Sequence, residues 1–280
     1  MSQLIYFKLI KSAKKIINQY HLDPNVAIYL LQRRLQWNNT QLLMNYRSLV
    51  PDEVKRQYYS DLHQYCQGRP PQYIIGTAPF YGYNFKVNSH VLIPRQETEG
   101  LVDWVLKEHS AKKIKVIDIG TGSGAIAITL KLQRPDWDVT ATDISVKALQ
   151  VAKMNAKAHC VDINFKRCDL FKGLKRHAFN VIISNPPYVA PEEKKYMDKD
   201  VIQFEPHLAL FAGNHGLSMY NRIANSFRKI IRPQGELYLE IGFRQGKAIK
   251  KIFRAHDSDL QLKIRKDLAG RPRMVKVFKS

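Results

Sequence analysis

From residue 114 onward, short β-branched runs alternate with helical stretches, and this alternation constrains the fold more than any other feature of the chain. Predicted helices follow the first two strands, at 125–133 and 147–157, and two more are predicted on either side of the fifth strand, at 217–231 and 245–256. Alternating strands and helices are typical of a doubly wound α/β sheet. The predicted strands of this seven-stranded sheet are 114–119, 139–142, 164–168, 180–184, 235–241, 260–265 and 274–278.

The N-terminal part of the chain has helical periodicity only. Apolar residues recur there every three or four positions, as on one buried helical face: Leu4, Phe7, Ile10, Ala13, Ile17 and Tyr20. We therefore predict a small N-terminal helical bundle of four or five helices over residues 1–72. Residues 73–95 are aromatic and β-branched, with Gly76 and Gly82 between the runs, which predicts a β-hairpin linker. The α/β domain then occupies residues 96–280.

The chain is strongly basic. Its 280 residues include 45 Lys and Arg against 24 Asp and Glu, a net charge of +21. Such a surplus favours encounters with phosphate-rich or acidic partners, among them RNA and ribosome-bound proteins. The basic residues are spread along the chain instead of forming a tail. We therefore expect a basic surface that favours proximity to the ribosome or RNA, with nucleic acid not the substrate.

Apolar runs and cysteines indicate the compartment. No apolar run approaches the length of a membrane span, and the first residues do not resemble a secretory signal. We expect a cytoplasmic protein without a membrane partner. Cys66, Cys160 and Cys168 lack the spacing of paired metal ligands, so we predict free thiols and no metal site.

A glycine-rich loop joins the first predicted strand of the sheet to its helix, in the order Asp118-x-Gly120-Thr121-Gly122-Ser123-Gly124. Glycines let the backbone approach a ligand closely, and the helix N-terminus offers free N–H groups. The second strand ends at Asp143, 23 residues after Gly120 (143 − 120). A carboxylate at that position accepts the hydroxyls of a ribose. The pattern predicts a nucleoside-binding site.

The glycine-rich loop alone does not identify the nucleoside. The spacing Gly120-x-Gly122-x-x-Ala125 also satisfies a relaxed dinucleotide fingerprint, so NAD is an alternative. Two features favour S-adenosyl-L-methionine. Asp118 would attract a cationic, amino-bearing ligand and repel a pyrophosphate. Asp169 and Leu170 follow the third strand, where a polar side chain reaches the adenine amino group and an apolar one covers the ring.

The strand 180–184 ends in Asn185-Pro186-Pro187-Tyr188. Proline fixes its own φ, lacks an N–H and restricts the residue before it, so this turn is stiff and poor in donors. The Asn185 side-chain oxygen and the Pro186 carbonyl are two acceptors for a planar –NH2 group, with the Tyr188 ring beside them. We predict Asn185, Pro186 and Tyr188 as catalytic, Asn185 also at the cofactor, and the whole turn, Pro187 included, as substrate-binding.

These motifs resemble the HemK or PrmC family, bacterial protein-(glutamine-N5) methyltransferases that modify peptide chain release factors. The resemblance extends to 68–76, 80–82, 92–99 and Phe204-Glu205-Pro206. It implies a Rossmann-like class I SAM-dependent methyltransferase domain that converts S-adenosyl-L-methionine to S-adenosyl-L-homocysteine. It also implies, as substrate, a glutamine of the Gly-Gly-Gln loop of class I release factors, docked by the N-terminal bundle. Gln96, where the family usually has proline, and Leu170, where it often has tryptophan, depart from the pattern.

Other interpretations remain open on the residues alone. An N6-adenine or N4-cytosine DNA methyltransferase presents the same two acceptors to a base amino group, but usually carries a separate target-reading region. A non-catalytic RNA- or ribosome-binding module would not need both the loop and the turn. Glu205 is as well explained by a buried structural contact as by a substrate contact. We expect a monomer.

Overall fold

The computed structural model describes residues 4–109 and 113–279. Residue 1, where the predicted helical bundle begins, and residue 280, where the predicted α/β domain ends, lie outside the described residues. The helices are α1 Tyr6–Gln19, α2 Val26–Leu35, α3 Asn39–Met44, α4 Asp52–Cys66, α5 Pro71–Ile75, α6 Gln96–Glu108, α7 Ala125–Gln133, α8 Val146–Ala158, α9 Lys199–Phe204, α10 His207–Leu210, α11 Gly213–Gly216, α12 Ser218–Ser226 and α13 Gly246–His256. The strands are β1 Thr77–Phe80, β2 Tyr83–Lys86, β3 Lys115–Ile119, β4 Asp138–Asp143, β5 Asn164–Arg167, β6 Phe179–Ser184, β7 Ile231–Glu240, β8 Leu260–Lys266 and β9 Pro272–Lys279.

The chain divides into two compact units. The first comprises the described residues up to Thr77 together with Asp198–Phe204. The second comprises Ala78–Met197 and the residues from Glu205 onward. The inclusion of 198–204 in the helical unit is a feature that the sequence patterns do not indicate.

The first unit is a helical bundle with its own apolar core, as the periodicity predicts. Helices α1, α2 and α4 supply most of this core, and the Tyr58 hydroxyl donates a hydrogen bond to the Ala27 carbonyl oxygen at 2.9 Å. The predicted buried face of α1 is wrong at two positions. Phe7 is 50% exposed because the buried face runs through Tyr6 instead, and Tyr20 is 56% exposed because it lies beyond the last turn.

The second unit is built on one seven-stranded sheet with the order β5-β4-β3-β6-β7-β9-β8. The neighbours from β5 to β7 are parallel, whereas β9 is antiparallel to both β7 and β8. This confirms the predicted doubly wound sheet. The chain builds outward from β3 to β5, then returns to the other side of β3 with β6. The carboxyl ends of β3 and β6 therefore form the switch point where such sheets bind ligands.

Both faces of the sheet are covered at its centre, which explains why the central strands β3 and β6 are almost continuously buried. Val116 of β3 contributes to one core, together with residues of α6 and α7. The next residue, Ile117, contributes to the core on the opposite face, together with residues of α12 and α13. Successive strand residues point to opposite faces, so each strand serves both cores.

Residues 73–75 differ from the predicted hairpin, because they form helix α5. Pro71 begins this helix at a position where its missing N–H is not needed. Gly76 ends it in the left-handed conformation, with φ 84°, which only glycine adopts without strain. The two-stranded hairpin itself is restricted to β1 and β2.

The region around residue 231 also differs from expectation. The predicted helix over 217–231 is α12 followed by a 3₁₀ turn at Phe227–Lys229, and β7 begins at Ile231 instead of residue 235. Ile231 pairs with Phe179 of β6 before an irregularity in register. Pairing with a neighbouring strand thus overrides the local helical pattern.

Candidate active site

A cavity of about 310 Å³ opens at the carboxyl ends of β3, β4 and β6, in the size range of small-molecule sites. Most of the residues that the sequence singles out line it. These are Gly120, Thr121, Gly122, Ser123, Asp143, Asp169, Leu170, Asn185, Pro186 and Pro187. Asp118, Gly124 and Tyr188 are not among the lining residues. Gly124 caps α7, and the other two are described below.

Asp143 fixes the shape of the glycine loop. One carboxylate oxygen accepts a hydrogen bond from the Gly122 N–H at 2.9 Å, and the other accepts from the Ser145 N–H at 2.9 Å. Burial raises the pKa of Asp143, and these backbone hydrogen bonds oppose the rise. Asp143 therefore connects the glycine loop to the end of β4, at the edge of the cavity where the ribose is expected.

Asp118 lies fully buried beneath the loop. Its Oδ2 accepts a hydrogen bond from the Thr121 hydroxyl at 2.6 Å, while its Oδ1 makes no hydrogen bond of ordinary geometry with the described residues. Burial raises the pKa of Asp118 to about 7 and the charge of Asp143 adds to the rise, whereas the Thr121 hydroxyl and the Ala127 N–H oppose it. A buried carboxylate with so few donors fits a site for a cationic ligand, since a nearby positive charge would stabilise the ionised form.

The segment that follows β5 contains an ion pair that the sequence did not indicate. Both oxygens of Asp169 accept hydrogen bonds from the Arg222 guanidinium at 2.8 Å. Arg222 lies on α12 and also lines the cavity. Leu170 follows with a positive φ of 51° and presents an apolar surface to the same space. Polar and apolar groups thus stand side by side where the adenine is expected.

The orientation of the Asn185 amide is determined by a chain of hydrogen bonds. The Thr98 hydroxyl donates its hydrogen to Glu240 Oε2 at 2.6 Å, so towards Asn185 it can only accept. The Asn185 Nδ2 donates to it at 3.2 Å. The amide therefore turns its NH2 group towards Thr98, and its oxygen has no donor among the described residues.

Tyr188 is held by its hydroxyl and by its backbone. The hydroxyl donates to Glu240 Oε1 at 3.1 Å, and the backbone carbonyl accepts from Gln245 Nε2 at 2.9 Å. Burial and the adjacent Glu240 raise the pKa of Tyr188, so it remains a donor. Its ring packs against the apolar core on the α12 and α13 side of the sheet.

Glu240 joins the two ends of the turn. Its carboxylate is buried, and burial raises its pKa, while the hydrogen bonds from Thr98 and Tyr188 oppose the rise. Sequence reasoning missed this residue and Thr98 as site residues. A charged residue at the end of the apolar strand 235–241 is the one local signal that could have identified Glu240.

Glu205 makes a buried structural contact, which is one of the two roles that the sequence left open for it. Its buried carboxylate accepts a hydrogen bond from the Ile93 N–H at 3.2 Å and forms an ion pair with Arg95. Arg95 and Pro206 line the cavity, whereas Glu205 does not. Its contacts hold the segment that includes Arg95 at the cavity wall.

Two features are absent from the described parts of the chain, 4–109 and 113–279. No helix there is long and apolar enough to cross a membrane. No group of three or more His, Cys, Asp or Glu side chains there is arranged to hold a metal ion.

Two family models and a solved structure of similar fold indicate the class of protein. Residues 97–205 match the family model of the methyltransferase small domain, and residues 8–76 match that of the PrmC N-terminal domain. The fold is similar to that of a methyltransferase from Pyrococcus furiosus, with a TM-score of 0.53 and 18% identity, over 71% of this chain and 90% of that one. The fold and the cavity at its switch point define the methyltransferase class.

Full-length relatives are more specific. The chain is 39% identical to the release factor glutamine methyltransferase of Enterococcus faecalis, over 96% of this chain and 97% of that protein. It is 44% identical to the protein of the same name from Lactococcus lactis, over 91% of this chain and 94% of that one. The chain therefore belongs to the release factor glutamine methyltransferase family.

Gly216 is packed against the turn. It has a φ of 78°, and a Cβ there would collide with the Tyr188 carbonyl oxygen and lie 2.7 Å from Gln245 Nε2. We expect Gly216→Ala to lower the free energy of unfolding by about 2 kcal/mol or more, because strain and overpacking add. Gly213→Ala is the matched control, since a Cβ there meets no atom within 4 Å. Urea unfolding of both variants checks this, and equal effects would contradict it.

Asp118 gives a pH dependence of defined sign. Its folded pKa of about 7 exceeds the ordinary value of 3.8, so between these pH values the native state binds more protons than the unfolded state. This residue therefore makes the protein less stable as the pH rises from about 4 to 7. We expect Asp118→Asn to gain stability relative to the wild type over that range, measured by urea unfolding at several pH values. A difference that does not change with pH would refute the expectation.

Proposed function

We propose that this protein transfers the methyl group of S-adenosyl-L-methionine to the side-chain amide nitrogen (N5) of a glutamine in class I peptide chain release factors. The observation that carries the proposal is the fixed orientation of the Asn185 amide, whose oxygen is left to accept a hydrogen bond from a substrate N–H group. Membership of the family supports the substrate, since the relatives are named for release factor glutamine methylation.

The residues at the cavity fit the cofactor. We propose that Asp143 accepts the ribose hydroxyls, that Asp169 and Leu170 meet the adenine, and that the loop from Gly120 to Gly124 approaches the amino acid part. Asp118 favours the positive charges of the same ligand from beneath the loop. The Asp118 carboxylate directly beneath the glycine loop disfavours a pyrophosphate there, and therefore NAD. When bound, S-adenosyl-L-methionine supplies a methyl group activated by the adjacent sulfonium.

The protein's own contribution is to hold the acceptor nitrogen. An amide nitrogen is a weak nucleophile because its lone pair is shared with the carbonyl group. Positive charge grows on it as the new N–C bond forms, so acceptors already directed at its two protons stabilise the transition state more than the ground state. We propose that Asn185 Oδ1 and the Pro186 carbonyl are these acceptors. Fixing the nitrogen in line also makes the step effectively intramolecular. The proton released afterwards passes to water.

The turn needs support to act in this way. Ser184 donates from its hydroxyl to the Ile119 carbonyl at 2.7 Å, which joins the ends of the two central strands. Pro186 and Pro187 line the cavity without offering backbone donors. The contact of Tyr188 with the substrate amide stays a prediction. Its hydrogen bond to Glu240 supports a second role, which is to hold the turn.

The remaining partner predictions belong to the same proposal. We propose that the helical domain over 1–72 docks the release factor and that the hairpin region links it to the methyltransferase domain. The match of residues 8–76 to the PrmC N-terminal domain supports a family-specific role for these helices. We further propose a monomer whose basic surface favours proximity to the ribosome or RNA, as the net charge of +21 suggests.

A nucleobase amino group would offer the turn the same two protons, so the turn alone does not separate a DNA methyltransferase from the proposed enzyme. The extent of the similarity favours the amide. The relatives named for release factor methylation match both the helical and the α/β parts, over 96% of this chain in one case.

The test changes the acceptor and the residue that orients it. Asn185→Ala removes one acceptor and is expected to lower kcat on the order of a hundredfold or more, while cofactor affinity changes little. Thr98→Val leaves Asn185 in place without its hydrogen-bond partner, and the loss of about one hydrogen bond predicts a fall in kcat of roughly tenfold. The measurements are methyl transfer to a purified release factor and cofactor binding by calorimetry.

Thr98→Ser is the matched control, because it keeps the hydroxyl that donates to Glu240. We expect it to retain most of the turnover that Thr98→Val loses. Near-normal transfer in Asn185→Ala would refute the assignment of the acceptor, and equal losses in the two Thr98 variants would refute the orienting role of the hydroxyl.

A further inference from the structure

Helix α13 carries a stripe of exposed cations. Lys247, Lys250, Lys251 and Arg254 recur at three- and four-residue spacing, so they share one face of the helix. Ile249 and Phe253 are fully buried on another face and pack into the core. The stripe extends about 10 Å along the helix axis, given a rise of 1.5 Å per residue.

These four cations have no acidic partners in the described part of the chain. None of them forms an ion pair there, although α13 ends next to two carboxylates. Asp257 and Asp259 instead both lie 3.3 Å from the Lys279 ammonium group. The helix itself contains no acidic residue. Uncompensated charge of this kind attracts anions from solution.

An exposed aromatic ring extends the stripe at the N-terminal end of α13. Phe243 is 42% exposed, and two guanidinium groups lie over its ring. Arg244 is 5.1 Å and Arg271 is 5.4 Å from the ring centroid. Phe243 and Arg244 lie within three residues of Gly246, where α13 begins, so the ring and its guanidinium groups lie close to the N-terminal end of the stripe.

We infer that this cationic surface, formed by Phe243, Arg244, Lys247, Lys250, Lys251, Arg254 and Arg271, binds the phosphate backbone of a nucleic-acid duplex. Lysine is depleted in the core of protein–protein interfaces but is a common phosphate ligand. Insertion of α13 into a lipid surface is disfavoured because its Ile249 and Phe253 side chains are already buried in the core. The stripe length corresponds to about three phosphates of one strand, at 3.4 Å of axis each.

The surface lies beside the candidate active site. Gln245, between Arg244 and α13, donates its amide hydrogen to the Tyr188 carbonyl at 2.9 Å. The N-terminal end of α13 is therefore in contact with the acceptor turn through Tyr188, which does not line the cavity. The inference deepens the proposed function and rests on it only for the setting, a protein substrate presented close to RNA.

The test measures duplex binding by the full chain as a function of salt. A fluorescent RNA duplex and a DNA duplex of the same sequence are titrated with wild type, with Lys247→Glu/Lys251→Glu, and with Lys11→Glu/Lys15→Glu. The second double variant makes the same charge change at the same spacing on exposed positions of α1. We expect the α13 variant to reduce the slope of log affinity against log salt by about two, and the affinity at least about tenfold near 0.1 M salt.

The α1 variant should bind both duplexes nearly as well as wild type. Equal losses in the two variants, no duplex binding by wild type, or tighter binding of poly-glutamate than of either duplex would each overturn the inference. The preferred duplex identifies whether RNA or DNA supplies the phosphates. Methyl transfer to a free release factor, measured in parallel, should be unchanged in the α13 variant. Failure of transfer in the wild type would refute the proposed function and leave the binding result standing.

Discussion

The buried carboxylate of Glu240 is the interaction on which the acceptor turn depends. A carboxylate removed from water needs hydrogen-bond donors, and Glu240 obtains them from Thr98 and Tyr188. Satisfying this group has a consequence for chemistry. Thr98 must accept from Asn185, which leaves the Asn185 oxygen to accept a hydrogen bond from a substrate N–H group. The hydrogen bonds that satisfy the buried carboxylate at the end of β7 therefore also fix the orientation of an acceptor oxygen at the end of β6.

Carboxylates also determine the structure on the cofactor side of the cavity. Asp118 and Asp143 sit at the ends of adjacent parallel strands, and each holds part of the glycine loop by a hydrogen bond to it. The strand order reverses between β3 and β6, so the loop and the acceptor turn open into one space. The fold therefore brings a methyl donor and an amide together, while local polar contacts determine how each is held.

Local patterns in the sequence predicted most of the sheet, the glycine loop and the turn, because each depends on neighbours in the chain. They could not predict pairs that only folding brings together. Thr98 and Glu240 are 142 positions apart, and Asp169 and Arg222 are 53 apart. The helix at 73–75 was missed because its β-branched residues also fit a strand, and the flanking proline and glycine decided otherwise. Long-range polar contacts leave no periodic signal, so the arrangement of the site came from the structure.

The most direct measurement of the central claim is the position of the transferred methyl group. The enzyme is incubated with labelled S-adenosyl-L-methionine and a mixture of an unmodified class I release factor and duplex DNA, and the products are analysed by tandem mass spectrometry. We expect one methyl group on the side-chain nitrogen of a glutamine in the release factor, and on the order of a hundredfold slower labelling of that glutamine by Asn185→Ala. Label on the DNA bases alone, with the release factor unmodified, would contradict it.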